Sequence, residues 1–297
     1  MQLDFTINIR DNNVLHGLQE VMRIIDALNQ SSDSHDVISF DNRSFVTPLF
    51  VLPLIVYLKG LSKVVHLDCT SSYMSAISLA EGGIRPDTMS IDQFVRKLSP
   101  YSKKTFLPII NFPTSISTSK ERASIIETTE KILINQLKLE LNIILGLKYI
   151  ISESIDNIIE HSESDRGYIM CQAYPYKGYL DVCIADHGIS LLNSYIKNSF
   201  KNITSHLSAM RAANQGISTK NLPDNENRGY GIQTSKNMLV KGLSGNFIML
   251  SGDVVYLYSN DQELFLSLPN NISFQGTIMA LRIPFVNKTF NYLQFVE

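Results

Sequence analysis

Residues 113–120 read Pro-Thr-Ser-Ile-Ser-Thr-Ser-Lys, and the arrangement of apolar residues differs on its two sides. No other feature constrains the fold as much. A run of Pro, Ser and Thr favours loop conformations, so this stretch reads as a linker. Before it, short apolar strands alternate with helical patterns. Residues 3–10 alternate apolar and polar, as a strand does. Val14, Leu18, Val21, Ile25 and Leu28 recur at helical spacing. Strands are expected at 37–40, 64–67 and 105–112. A helix opens at Thr47–Pro48, with Thr47 as N-cap, and ends at Gly60. A short helix over 72–81 ends at Gly82–Gly83. This β-α-β-α-β-α-β order predicts a small α/β sandwich over residues 1–117.

After the linker the order changes. One long helical pattern runs from Lys120 to His161, with Gly146 as a break or a close packing point. Strands are expected at 167–174 and 179–185, helical character at 191–214, and a polar stretch at 215–227. A helix at 232–241 precedes strands at 246–251, 254–259 and 277–283. Residues 118–297 therefore read as an α+β domain, a mixed and mostly antiparallel sheet with helices on one face.

Charge and hydropathy exclude several partners. The net charge is −2 over 297 residues, and each side of the linker carries one more acidic than basic side chain. Binding to a phosphate backbone needs a basic excess, so nucleic acid is not expected as a partner. The longest apolar run, Val46 to Leu58, contains Pro48 and Pro53. It falls short of the ~20 residues that a membrane span requires, so no membrane partner is expected. The first residues lack the basic and apolar regions of a signal peptide. Cys69, Cys171 and Cys183 show no CxxC spacing, which fits a reducing, cytoplasmic setting and gives no support to a zinc site.

Three motifs after the linker carry chemistry. Glu153, Asn157 and His161 are four residues apart, so they share one helical face. An amide oxygen is a hard ligand for Mg²⁺, and a carboxylate on the same stripe can serve as general base. Next, the apolar run Tyr179 to Ala185 ends in Asp186-His-Gly188, where a carboxylate beside a glycine can accept a hydrogen bond from an exocyclic amine. Third, Lys220 and Asn227-Arg228-Gly229-Tyr230-Gly231 precede a helix. Glycine-rich backbone at a helix N-terminus presents N–H groups to phosphate, and Lys220 and Arg228 can neutralise it. Each motif alone also fits a bland reading: a solvated stripe, an Asp-x-Gly turn, a glycine helix entry. No P-loop pattern exists, and the third glycine of a dinucleotide fingerprint is missing.

Taken in order, the motifs resemble those of the GHKL (Bergerat-fold) ATPases, a group that includes gyrase, sensor histidine kinases and anti-sigma-factor kinases. Glu153-x-x-x-Asn157 is similar to the N-box. Asp186-x-Gly188 and Arg228-Gly229-x-Gly231 are similar to the two glycine boxes, and Gly276-Thr277 to the terminal Gly-Thr strand. The resemblance covers about residues 120–285. It implies ATP and Mg²⁺ as cofactors and a Bergerat fold. It assigns Asn157 to Mg²⁺, Glu153 to the general base, and Asp186 to adenine, with Gly188 shaping that loop. Gly229 and Gly231 would contact phosphates, Thr277 would support the adenine side, and residues 191–227 would form the lid. Ser190 and Asn227 stand where the family usually has glycine.

The chain has no histidine between His66 and His161, so the phosphoacceptor helix of a histidine autokinase is not expected. His161, four after Asn157, resembles the anti-sigma serine-kinase branch. Before the linker, Val37 to Val46 resembles the STAS domains of anti-sigma-factor antagonists, with Thr47 only approximately where their acceptor serine stands. Two readings follow. One is a cytoplasmic ATPase or Ser/Thr kinase-like regulator acting on a protein partner. The other is a non-catalytic, nucleotide-controlled interaction switch. A homodimer is an option in either.

Overall fold

The computed structural model describes residues 1–296 except 10–12, 42, 116–118, 220–230, 261, 270–271 and 286–289. Three strands, β1 (Gln2–Phe5), β2 (His35–Phe40) and β3 (Val64–Cys69), form a parallel sheet in the order β1-β2-β3. Parallel neighbours need a crossover. Helices α1 (His16–Gln30) and α2 (Pro48–Lys59) supply the two crossovers.

The α2 helix explains why this small sheet does not stand alone. Its residues from Pro48 to Val56 are all buried, so it has no polar face to offer to water. A helix that is apolar all round needs cover on every side. On one side it packs against α1. On the other it lies on β5 (Arg166–Tyr174), β6 (Tyr179–Asp186) and β10 (Phe274–Pro284) of a second sheet. One apolar core, from Leu28, Ile38 and Phe50 to Met170, Ala185 and Ile278, runs through this contact.

The second sheet has seven strands in the order β4-β5-β6-β10-β7-β8-β9. Its remaining strands are β4 (Phe106–Pro113), β7 (Asn246–Gly252), β8 (Val254–Ser259) and β9 (Gln262–Ser267). Every neighbouring pair is antiparallel, so the sheet is not mixed as expected. The strand expected at 105–112 exists as β4, but it pairs with β5 at the edge of this sheet instead of joining the small one.

Helices were expected on one face only, yet both faces are covered. Ile169, Cys171, Val182 and Ile184 point to the face under α6 (Leu141–His161). Their alternates Tyr168, Met170, Cys183 and Ala185 point to the face under α2. Period-2 side chains with both faces buried make the strands read as unbroken apolar runs.

Between β3 and β4 the chain forms α3 (Ser72–Ala76) and α4 (Ile91–Leu98). The long helical pattern after the linker divides into α5 (Ser119–Ile132) and α6, separated by one π-helical turn and by Lys138 at φ 50°. Gly146 is not the break. A Cβ there would lie 2.8 Å from Phe290 Cε1 and 3.1 Å from Met238 Sδ, so Gly146 is a close packing point inside α6. The chain then adds α7 (Leu191–Lys197), α8 (His206–Asn214) and α9 (Gly231–Asn237). Between α7 and α8, Tyr195, Ile203, Ala209, Ala212 and Ala213 form a small core of their own. Among the described residues, no helix is long and apolar enough to cross a membrane.

Candidate functional site

A cleft of about 240 Å³ opens between α6, α7 and the C-terminal end of the interior strand β6 with the residues that follow it, to Ser190. Its floor is apolar and follows from strand register. Met279 on β10 pairs with Ile184 on β6 and with Met249 on β7, so the three side chains form one row under the cleft. Its walls are polar. Glu153, Asn157, Asp186, Gly231 and Thr277, read from four separate stretches of sequence, all line it.

The α6 helix supplies the first wall. Glu153 and Asn157 sit one turn apart on its half-buried face, while Ile151, Ile155 and Ile158 sink into the core. Asp156 lines the cleft too, and it is held by Arg122 from α5. One guanidinium nitrogen of Arg122 donates to Asp156 Oδ2 at 2.7 Å and to Ser152 Oγ at 3.1 Å. His161 closes the row, with Nδ1 3.4 Å from Thr219 Oγ1.

The Asp186 loop supplies the second wall. Asp186 ends β6 and is 2% exposed. Its Oδ1 accepts the Gly188 N–H at 2.8 Å, and the backbone of Thr277 also donates to the carboxylate. These bonds favour the charged form, but burial outweighs them and pushes the carboxyl up to about 7.

Two glycines make this packing feasible. A Cβ at Gly188 would lie 1.8 Å from Ser162 O, because the loop passes directly over the end of α6, and Ile189 N–H donates to that same oxygen at 2.7 Å. Gly276 has φ +85°, and a Cβ there would lie 2.3 Å from Asp186 O. Ser251 ties the region together. Its hydroxyl donates to Gly276 O at 2.9 Å and accepts the Leu191 N–H at 3.0 Å, and Thr277 Oγ1 lies 3.4 Å from it.

Ser190, which stands where the resemblance favours glycine, has φ −69° and ψ 164°, a conformation open to any residue. It is the N-cap of α7 and accepts from Asn193 N. A serine here thus contributes a cap that glycine makes less well.

The α9 entry supplies the third wall. Gly231 opens this helix, and a Cβ on it would stand 2.5 Å from Glu153 Oε2. Lys220, Asn227, Arg228 and Gly229 lie outside the described residues. From the segment expected to be a lid, Tyr195, Ile217, Ser218 and Thr219 reach the cleft, and the Tyr195 hydroxyl donates to Ile217 O.

Several cleft residues were not singled out in the sequence: Asp156, Glu160, Ser194 and Tyr195. Asp156 and Glu160 are neighbours of Glu153 and Asn157 on α6, so helical spacing carried a signal for them. Nothing in the sequence marked Ser251. Thr47 is 5% exposed, and its Oγ1 lies 2.7 Å from where a Cβ at Gly17 would be. It is packed beneath α1, out of reach of a phosphate donor.

Among the described residues no three His, Cys, Asp or Glu side chains group to hold a metal by themselves. Mg²⁺ bound along with a nucleotide takes only one or two protein oxygens, so Asn157 with a neighbouring carboxylate meets that smaller demand. Fold and cleft together define an α+β protein with a polar, glycine-framed cleft on one face of an antiparallel sheet. No family model matches the chain, and no curated protein matches it either.

Proposed function

We propose that the cleft is a Mg²⁺–ATP site of the GHKL type. On this reading the seven-stranded sheet with α6 and α9 is a Bergerat-like domain, and the three-stranded sheet with α1 and α2 is a STAS-like regulatory layer packed behind it. The observation that carries the reading is the convergence of Glu153, Asn157, Asp186, Gly231 and Thr277 on one cleft. A chance set of polar residues from four stretches has no reason to meet.

The chemistry follows from the walls. Asp186, buried and already holding two backbone donors, has lone pairs left for an adenine amine. A ligand N–H there compensates the ionised carboxylate for its burial. Bound with ATP, Mg²⁺ supplies charge neutralisation at the phosphates, with Asn157 as its protein ligand. Glu153 holds the acceptor, a water or a protein hydroxyl, and takes its proton as the γ-phosphoryl group leaves. Gly231 lets the α9 backbone approach to within reach of that carboxylate. Lys220, Arg228 and Gly229 belong to the phosphate side of this reading.

Incubation with γ-labelled ATP and Mg²⁺, resolving free phosphate from labelled protein, tests it. Free phosphate is the result for an ATPase, and label on an added partner is the result for a kinase. Binding without either makes the protein a nucleotide-controlled switch. No binding, read as no thermal shift at saturating Mg²⁺–ATP, overturns the site; ligand at 100 times its Kd adds about 2.7 kcal/mol.

A further inference from the structure

The two edges of the seven-stranded sheet are treated differently. The β4 edge is closed by the chain itself: Ile84 N–H donates to Ile109 O at 2.7 Å, Asn111 N–H to Ile84 O at 2.9 Å, and Ile109 N–H to Ile77 O at 3.1 Å. At the other edge, β9 is the last strand, and among the described residues no backbone hydrogen bond reaches its outer side. Exposed edges in soluble proteins usually carry Lys, Pro or a bulge that blocks pairing. The β9 sequence Gln-Glu-Leu-Phe-Leu-Ser has no Lys or Pro, and its pairing with β8 runs without a register shift. Its one charge, Glu263, is drawn onto the sheet, where Oε1 accepts from Lys236 Nζ at 3.0 Å and from the Tyr256 hydroxyl at 2.8 Å.

The side chains of β9 sort by face. Phe265 is covered, with Arg211 of α8 5.4 Å over its ring. Leu264 and Leu266 pair with Leu257 and Val255 on the α2 face, but they are 48% and 42% exposed. Which backbone groups point outward can be derived. Leu268 N–H donates to Asp253 O at 2.8 Å, so Leu268 and Asp253 form a hydrogen-bonded pair. Such pairs alternate along an antiparallel ladder. Leu266 and Leu264 therefore also direct their N–H and C=O groups toward β8, and Glu263, Phe265 and Ser267 direct theirs to the open edge.

We infer that β9 is a self-association edge, and that its partner is the β9 strand of a second copy of this chain, antiparallel and related by a two-fold axis at Phe265. In this register every outward group finds a mate: Phe265 meets Phe265, and Glu263 meets Ser267. No like charges are opposed. Leu264 of each copy meets Leu266 of the other in non-hydrogen-bonded pairs, where side chains approach most closely. The four leucines cover one another on one face, and the two sheets become one. A centre at Leu264 would instead set Glu263 against Phe265 and leave Ser267 without a mate within β9.

Sedimentation equilibrium on the full chain tests this. The wild type is a dimer, and L264K/L266K is a folded monomer that keeps the wild-type far-ultraviolet circular dichroism, with a thermal midpoint that, unlike the wild type's, does not depend on protein concentration. A wild type that stays monomeric across the micromolar range, or a lysine variant that stays dimeric, overturns the proposal. A cysteine pair keeps the test decisive if the lysines disturb folding. L264C/L266C forms a dimer under mild oxidation that reduction reverses, whereas L264C alone does not. No link in the pair variant, or a link in the single variant, overturns the register.

Discussion

The α carbon of Gly231 lies against the carboxylate of Glu153, so close that a Cβ at position 231 would stand 2.5 Å from Oε2. These residues are far apart in sequence and belong to different helices. Their contact sets the distance between the end of the glycine-rich segment and the proposed general base. In Gly231→Ala the carboxylate must shift, and it can, because it ends a flexible side chain. Thermal stability should therefore change little, while ATP turnover falls about 10²-fold, the usual cost of a misplaced reacting group. Glu153→Ala should retain nucleotide binding and lose about 10²–10⁴-fold in turnover. Steady-state phosphate release beside a thermal melt separates the two effects.

Asp186 makes stability depend on pH with a definite sign. Burial raises its folded-state pKa to about 7, above the ordinary carboxylate value that the unfolded chain keeps. Its contribution is most favourable below about pH 4, declines as the pH rises toward 7, and levels off above that. Asp186→Asn should abolish this slope and be the more stable form at pH 8, by up to about 4 kcal/mol. Denaturant unfolding at pH 5 and pH 8 measures it. Ligands that donate to the ionised carboxylate should bind up to about tenfold more weakly per pH unit below 7, and the variant should lose this dependence.

Gly276→Ala combines a left-handed backbone with a clash against backbone. Its φ is +85°, and the new Cβ would meet Asp186 O at 2.3 Å and Oδ1 at 2.7 Å. The expected cost is more than about 2 kcal/mol, with loss of nucleotide affinity as Asp186 is displaced. Chemical denaturation and isothermal titration report the two losses.

Arg282 and Asp181 form a bidentate pair between β10 and β6, at 2.8 and 2.9 Å, with the Arg282 guanidinium 4.0 Å over the Tyr179 ring. Both side chains are about 10% exposed. Arg282→Met leaves a buried carboxylate without its partner and should cost about 3–5 kcal/mol. D181L/R282M should recover most of that loss. Urea midpoints of the three proteins form the comparison.

Local elements were legible wherever one residue pattern had one outcome. The Thr47–Pro48 start and Gly60 end bound α2 as expected, because the fixed φ of proline favours the first helical position in any context; the Thr47 side chain makes no cap hydrogen bond. Glu153 and Asn157 share a face because the helical repeat alone places them there. The Ser90–Gln93 capping box that opens α4 was equally visible and was missed. So was β9, Gln-Glu-Leu-Phe-Leu-Ser, whose three consecutive apolar residues show no period-2 alternation. The break at Lys138 had no signal, since lysine rarely adopts φ 50° and nothing in the sequence required it there.

The choice of partners was decided in three dimensions. β4, apolar and buried along nearly its whole length, reads the same whether it joins the small sheet or the large one, because its own pattern says nothing about which strand lies alongside. Its place beside β5 depends on burial, as does the cover that α2 gives to the second face of the large sheet. The same holds for the cleft. The sequence supplied Glu153, Asp186, Gly231 and Thr277 as four separate candidates. Their convergence, the 2% exposure of Asp186 that raises its pKa, and the nearness of Gly231 to Glu153 come from packing between distant segments. Periodicity, caps and turns are properties of neighbours along the chain, so the sequence determined them. Sheet membership, desolvation and close approach depend on atoms brought together from far along it, so only the tertiary structure could decide them.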